Sequence, residues 1–342
     1  MLRPLALLTC LAASAVVQAE VVSVEVASRQ AWADGRAFGA VGAYEVLRGT
    51  VHYAIDPRSA SARNVTDIRH APVNARGLVE YSGPFLVIRP VDAARGNHTT
   101  LVEVANRGNT QMNGLFFRTG SGFDLMAATP AATLTESTFF ELGYTVAWVG
   151  WQAKLKREQF GLQVPVANVH GPVRATFGTR DMTPDRRAYD LAQNGYYCAR
   201  DAAQPKAVLR TQTSFDDPGQ VVARSAWRFA AADDGAPGSA ACRIEIDGVP
   251  ATGYSHFSLV YEGEKPAVAG LGQAAFRDFA WHLRDRRVPS ELNQRPQDAK
   301  AVLAYGYSQG GRFLRDSFYG GSNTGPGGIK LYDGMLVTAA GA

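Results

Sequence analysis

The chain has 342 residues, enough for one large domain or two ordinary ones. Apolar residues make up 46% and charged residues 19%, which excludes a disordered chain and predicts a packed core. The formal net charge of +4 is small and scattered, with no long basic run, so nucleic acid is not an expected partner.

The first residues have the character of an export signal. Arg3 gives a positive start, Leu5 to Val17 is mostly apolar, and Val17-Gln18-Ala19 puts small residues before a cleavage point. The expectation is a signal over residues 1–19, a periplasmic or secreted protein, and no stable membrane span once the signal is cut, because the apolar stretch is too short for one. Cys10 leaves with the signal. Cys198 and Cys242 remain, and in an oxidising compartment they are candidates for one disulfide; two unpaired buried thiols are the alternative.

Residues 20–152 read as the first strands of a sheet. Val21 to Ala27 alternates, Gly35 to Gly42 is a glycine-rich turn, and Tyr44 to Ile55 is a strand with a break predicted near Arg48-Gly49. Phe85 to Ile88 and Leu101 to Ala105 follow as strands. Asn106-Arg107-Gly108-Asn109 then leaves the second of these, either as a plain turn or as a place that offers backbone N–H groups. Thr133 to Glu136 fits a capping box for a short helix, Leu134 to Leu142, stopped by Gly143. Tyr144 to Trp151 is a nearly continuous apolar run and predicts a central strand, with Trp148 and Trp151 in the core.

Residues 153–262 change character. A charged run at Lys154 to Glu158, prolines, Asp-Asp pairs and short alternating segments predict a β-rich or irregular insertion, a possible cap over a site. Residues 263–342 return to the sheet. Leu271, Ala275, Phe279 and Leu283 recur at helical spacing, so an amphipathic helix packs there. Val302 to Tyr305 is a buried strand. Gly306-Tyr307-Ser308-Gln309-Gly310 fits G-x-S-x-G, and a helix follows from Arg312; Ile329 to Thr338 reads as a last strand.

The bare G-x-S-x-G pattern is weak, but strand, tight turn and helix are the context of a nucleophile elbow. In such a turn Ser308 stands clear of the sheet. Gly306 and Gly310 leave room for the backbone, and the amide of Gln309 faces a developing oxyanion. An ordinary surface serine in a glycine-rich loop is the alternative.

The stretch Gly306-Tyr-Ser-Gln-Gly-Gly-Arg-Phe-Leu-Arg315 resembles the α/β-hydrolase superfamily. More narrowly, the chain resembles large bacterial exported proteins described only as alpha/beta hydrolase domain-containing. Val41-Gly-Ala-Tyr-Glu45, Val104-Ala-Asn-Arg-Gly108, Gly143 to Gln152 and Val268-Ala-Gly-Leu-Gly272 carry the similarity over nearly all the mature chain. Gly310 departs from a Ser common in those proteins, and the elbow pattern still holds.

The resemblance implies an α/β fold, a mostly parallel sheet with helices on both faces, here cut after about the sixth strand and carrying a large insertion. It implies a triad in chain order Ser, acid, His. All six histidines precede Ser308, and Asp333 falls at the start of its strand, so the acid and histidine are expected beyond Ala342. A sheet stopped there would leave an apolar edge at Leu336-Val337.

The function so implied is an exported serine hydrolase of small-molecule carboxylic esters. Ser308 is the nucleophile, Gln309 and a backbone amide at Arg107 or Gly108 hold the oxyanion, and no cofactor or metal takes part. A serine peptidase or acyltransferase would use the same parts. A non-catalytic fragment or binding protein that keeps the shell is the reading from another class.

Overall fold

The computed structural model describes residues 20–116, 124–126, 138–153, 155, 159–185, 187–192, 194–214, 216–231, 241–248, 256–285, 287–293 and 299–341. The export signal over 1–19, the capping box at Thr133 to Glu136 and the charged run at Lys154 and 156–158 lie outside these residues.

The main sheet gathers β1 (Glu20–Ala31), β2 (Ala37–Phe38), β3 (Gly42–Ile55), β4 (Val79–Pro90), β5 (Thr99–Glu103) and β6 (Thr145–Val149) from the first part of the chain. Between the last two lie two short helical turns, α1 (Met112–Leu115) and α2 (Thr138–Glu141). From the C-terminal part come α3 (Leu271–Arg284), β15 (Ala301–Tyr307), α4 (Gln309–Tyr319) and β16 (Gly334–Thr338). The eight strands between β6 and β15 in chain order form the insertion described below.

The spatial order of the main sheet is β1-β3-β4-β6-β5-β15-β16, with β2 on β3. Its first half is antiparallel, as β1 on β3, β3 on β4 and β4 on β6. Only β6–β5, β5–β15 and β15–β16 run parallel.

The expected α/β-hydrolase architecture, a mostly parallel sheet with helices on both faces, is therefore not what the chain forms. The protein is mostly β, with mixed and antiparallel sheets. The physical reason lies in how the faces are covered. Strand residues alternate between two cores. Val87, Val102, Val149, Val302 and Ala304 meet Leu271, Phe276, Phe279, Phe313 and Leu314, so α3 and α4 lie on the same face. The opposite face, with Leu86, Ile88, Val146, Trp148 and Tyr305, is covered by aromatic side chains from loops and short turns, among them Trp32, Phe38, Phe140 and Phe160. Tyr44 packs edge to face on Phe38 and Phe140, and those two rings meet at a tilt, at 5.1 to 5.5 Å between ring centres.

Two strand bounds also differ from expectation. β3 runs unbroken through Gly49, where a Cβ would come 1.7 Å from the carbonyl oxygen of Glu25, so the glycine admits β1 rather than ending the strand. The last strand is shorter than Ile329 to Thr338. It lies at the sheet edge with Leu336 and Val337 exposed.

The insertion is β-rich. One sheet holds β7 (His170–Gly178), β9 (Cys198–Ala199), β10 (Val208–Gln212), β11 (Gln220–Val221) and β14 (His256–Glu264). A second holds β8 (Ala188–Asp190), β12 (Trp227–Ala230) and β13 (Arg243–Ile246). The two enclose their own core around Phe177, Tyr189, Leu209, Trp227 and Leu259. Cys198 and Cys242 are joined in a disulfide across it.

Candidate functional site

β15 ends at Tyr307 and α4 begins at Gln309. Between them Ser308 has φ 53° and ψ −112°. A residue with a side chain reaches that region only under strain, which the surrounding structure must hold in place. Here both sides hold it. The Ser308 amide donates to the Thr338 carbonyl at 2.9 Å, and its own carbonyl accepts from Arg312 at 3.0 Å to open α4.

The flanking glycines are required by contact. A Cβ on Gly306 would lie 2.4 Å from the Gly310 oxygen, and one on Gly310 would lie 2.7 Å from the Val104 oxygen. The second contact brings the start of α4 against the end of β5.

The turn that follows β5 has Arg107 at φ 51° and Gly108 at φ 77°. Asn106 and Asn109 exchange both backbone hydrogen bonds around them, at 2.8 and 3.0 Å. In this two-residue turn the amides of Arg107 and Gly108 take no part in the closure. Gly108 is buried against Phe160 and Gln159, where a Cβ would be 3.0 Å from the Phe160 nitrogen.

Glu103, the last residue of β5, is fully buried. Its Oε1 accepts the amides of Gln111 at 2.6 Å and Met112 at 3.2 Å. Its Oε2 accepts the Thr110 hydroxyl and the Trp148 indole N–H, each at 2.5 Å. This carboxyl therefore ties the far side of the Arg107-Gly108 turn to the sheet. Burial pushes its pKa up to about 7, against the pull of its four donors.

A cavity of about 690 Å³ lies beside the elbow, walled by Gln309, Arg107, Trp151 and Gln152 from the main body and by Arg180 and Asn194 from the insertion. Ser308 precedes Gln309 and is half-buried, and it is not itself part of the wall. Trp148 is core, as expected. Trp151 is half-buried: its ring packs 4.2 Å from Phe313 and its indole N–H donates to the Ala105 carbonyl at 2.6 Å, while it also faces the cavity.

No histidine is among the residues lining this cavity. His282 is buried in α3 with its Nε2 2.7 Å from the Ser290 hydroxyl, and His98 lies at the far end of the sheet, where its carbonyl accepts from Ala301. Asp333 accepts from the Val302 amide at 2.9 Å and pairs with Arg284, at the end of β15 opposite Ser308. It caps strands rather than serving the elbow. Among the described residues no group of three or more His, Cys, Asp or Glu is placed to hold a metal, and no helix is long and apolar enough to cross a membrane.

The structure brings Ser308, Gln309, Gly306, Gly310 and the Arg107-Gly108 turn to one end of β5 and β15. Glu103 and Gln152 were not anticipated from the sequence. A single Glu inside the apolar run Leu101 to Ala105 is the one signal that marked the former. Compared with protein-family models, with curated proteins and with solved structures, the chain matches none.

Proposed function

We propose that the protein is an exported serine hydrolase of carboxylic esters, with Ser308 as nucleophile. The observation that carries this reading is the strained backbone of Ser308 between a parallel strand and a helix N-terminus. A backbone held there at a cost of about 1–3 kcal/mol supports a use for the Ser308 hydroxyl.

In this reading the Ser308 Oγ attacks the ester carbonyl carbon. Its proton passes to a general base and then to the leaving alcohol. The negative oxygen of the intermediate is held by the Gln309 amide and by an amide of the Arg107-Gly108 turn. Water then cleaves the acyl-enzyme and releases the acid. The disulfide between Cys198 and Cys242 supports an oxidising compartment and so export.

A second reading, a binding protein that keeps the elbow without the chemistry, is favoured by the cavity wall, which has no histidine to activate Ser308. One experiment separates the two. The full chain is treated with a fluorophosphonate probe and with 4-nitrophenyl acetate, alongside Ser308→Ala. Labelling mapped to Ser308, and loss of ester cleavage by more than about a hundredfold in the variant, support the hydrolase. No labelling, with equal rates in both proteins, supports the binder.

A further inference from the structure

The segment between β3 and β4 holds a second hollow, of about 380 Å³, which shares no residue with the cavity beside the elbow. Its frame is fixed. Backbone amides donate three residues back along it, from Ser59 to Asp56, Ala62 to Ser59, Val65 to Ala62, His70 to Asp67 and Ala71 to Ile68, at 2.9 to 3.1 Å. Turns of this kind bring residues three apart to one side. Ala62, Val65, Ile68 and Ala71 accordingly sink into the main core. The insertion pins the segment from outside: the Tyr197 hydroxyl donates to the Asp67 carboxylate at 2.9 Å, and the Asn168 amide donates to the His70 carbonyl at 2.8 Å.

Three arginines line the hollow, Arg58, Arg63 and Arg69, with His70 beside them. Among the described residues Asp67 is the one carboxylate in the lining, and Tyr197 already donates to it. Arg58 keeps a loose pair with Asp56, at 4.0 Å. The guanidinium groups of Arg63 and Arg69 are exposed and have no partner among the described residues. Elsewhere Arg89, Arg243, Arg277 and Arg284 each hold a carboxylate. Like charges gathered round one hollow repel, and an anion between them relieves the repulsion. A guanidinium is a planar fork of donors that matches the paired oxygens of a carboxylate or phosphate. The hollow is small and the sequence has no long basic run, so a nucleic acid is not its occupant.

We infer that this hollow binds a small ligand carrying at least two oxyanion groups, phosphate or carboxylate. Arg63 and Arg69 donate to separate groups of the ligand and Arg58 adds a third cation, while Pro57 and Ile68 give the part between the groups an apolar floor. The inference does not depend on the hydrolase reading.

Titration calorimetry of the full chain tests it, with pyrophosphate, citrate and orthophosphate at low ionic strength, where exposed charges are least screened. Pyrophosphate or citrate should bind one to one with a Kd below about 100 μM, at least about tenfold tighter than orthophosphate. The tighter of the two shows whether the site takes phosphoryl groups or carboxylates. Arg63→Ala and Arg69→Ala should each weaken binding about tenfold or more, since each removes charge-assisted hydrogen bonds. Both residues are exposed, so the variants should unfold at the wild-type midpoint. Arg210→Ala, in β10 of the insertion, changes the net charge equally and should leave the Kd within about twofold. No saturation by either polyanion up to about 10 mM overturns the inference. Orthophosphate binding as tightly as both polyanions overturns it too, because the hollow then takes an adventitious ion only. So does a loss in Arg210→Ala equal to that in Arg63→Ala, which would mean a diffuse charge effect rather than a site.

Discussion

The Glu103 carboxylate accepts the indole N–H of Trp148 at 2.5 Å, joining the ends of two neighbouring parallel strands, β5 and β6, inside the sheet. The same carboxyl receives Thr110 and the Gln111 and Met112 amides, so one side chain links the sheet to the segment after the Arg107-Gly108 turn. Above pH 7, where the carboxyl is ionised, Glu103→Gln replaces one acceptor oxygen by a donor. The Thr110 hydroxyl can turn to accept from it, but the Trp148 indole cannot. The expected cost is about 1–3 kcal/mol for the stranded N–H. Trp148→Phe removes that N–H, so the double variant should be more stable than the sum of the two single losses by about 1 kcal/mol or more. Denaturant unfolding of all four proteins measures it. Additive losses would show that the pair is not coupled.

The elbow glycines make a sharper test because a control lies in the same chain. Gly306→Ala puts a methyl 2.4 Å from the backbone oxygen of Gly310, which cannot move without breaking the helix start. A loss of about 3 kcal/mol is expected. Gly171→Ala, in β7, meets nothing within 4 Å and should change stability by less than about 0.5 kcal/mol. Thermal unfolding of both variants decides it. Equal effects would mean that the close approach at Gly306 is not real.

The elbow was legible in the sequence because its constraints are local: Gly306, Ser308, Gly310 and the apolar run before them sit within a few residues. The central strand at Tyr144 to Trp151 was legible for the same reason, since burial on both faces leaves a continuous apolar run. Strand direction was not legible. β3 and β4 pair antiparallel over twelve positions, and nothing within either strand states which neighbour it will meet. The cover of the second face was hidden too, because Trp32, Phe38, Phe140 and Phe160 come from separate segments without a common period. Glu103 escaped because its partners lie seven, eight, nine and forty-five residues away.

The disulfide should matter to the insertion and little to the elbow. Cys198 and Cys242 are 44 residues apart in sequence and close a loop around the insertion core. By the chain-entropy model such a loop contributes about 4 kcal/mol. Reduction, or Cys198→Ser with Cys242→Ser, should speed amide exchange in β8, β12 and β13 and leave α4 and β15 unchanged. Exchange that rises equally in both regions would show that the insertion does not have a core of its own.

The pH dependence of stability follows from two buried groups that act in opposite senses. Burial lowers His282 from 6.5 to about 4, although Asp285 pulls it the other way. The native state then refuses a proton that the unfolded chain takes, so stability present above pH 6.5 is lost as pH falls towards 4. Glu103 is raised from 4.5 to about 7. The native state keeps a proton that the unfolded chain releases, so stability present below pH 4.5 is lost as pH rises through 7. Each amounts to about 3 kcal/mol over its window. Between pH 4.5 and 6.5 the two slopes oppose one another, and the wild-type curve should be nearly flat there. His282→Gln removes the rising part, so its stability should fall with pH from 4.5 to 7. Glu103→Gln removes the falling part, so its stability should climb from pH 4 to 6.5 by up to about 1.4 kcal/mol per unit. Urea unfolding at half-unit steps, with each variant subtracted from wild type, cancels the other groups. Difference curves with the same sign of slope would refute the assignment of opposite roles to His282 and Glu103.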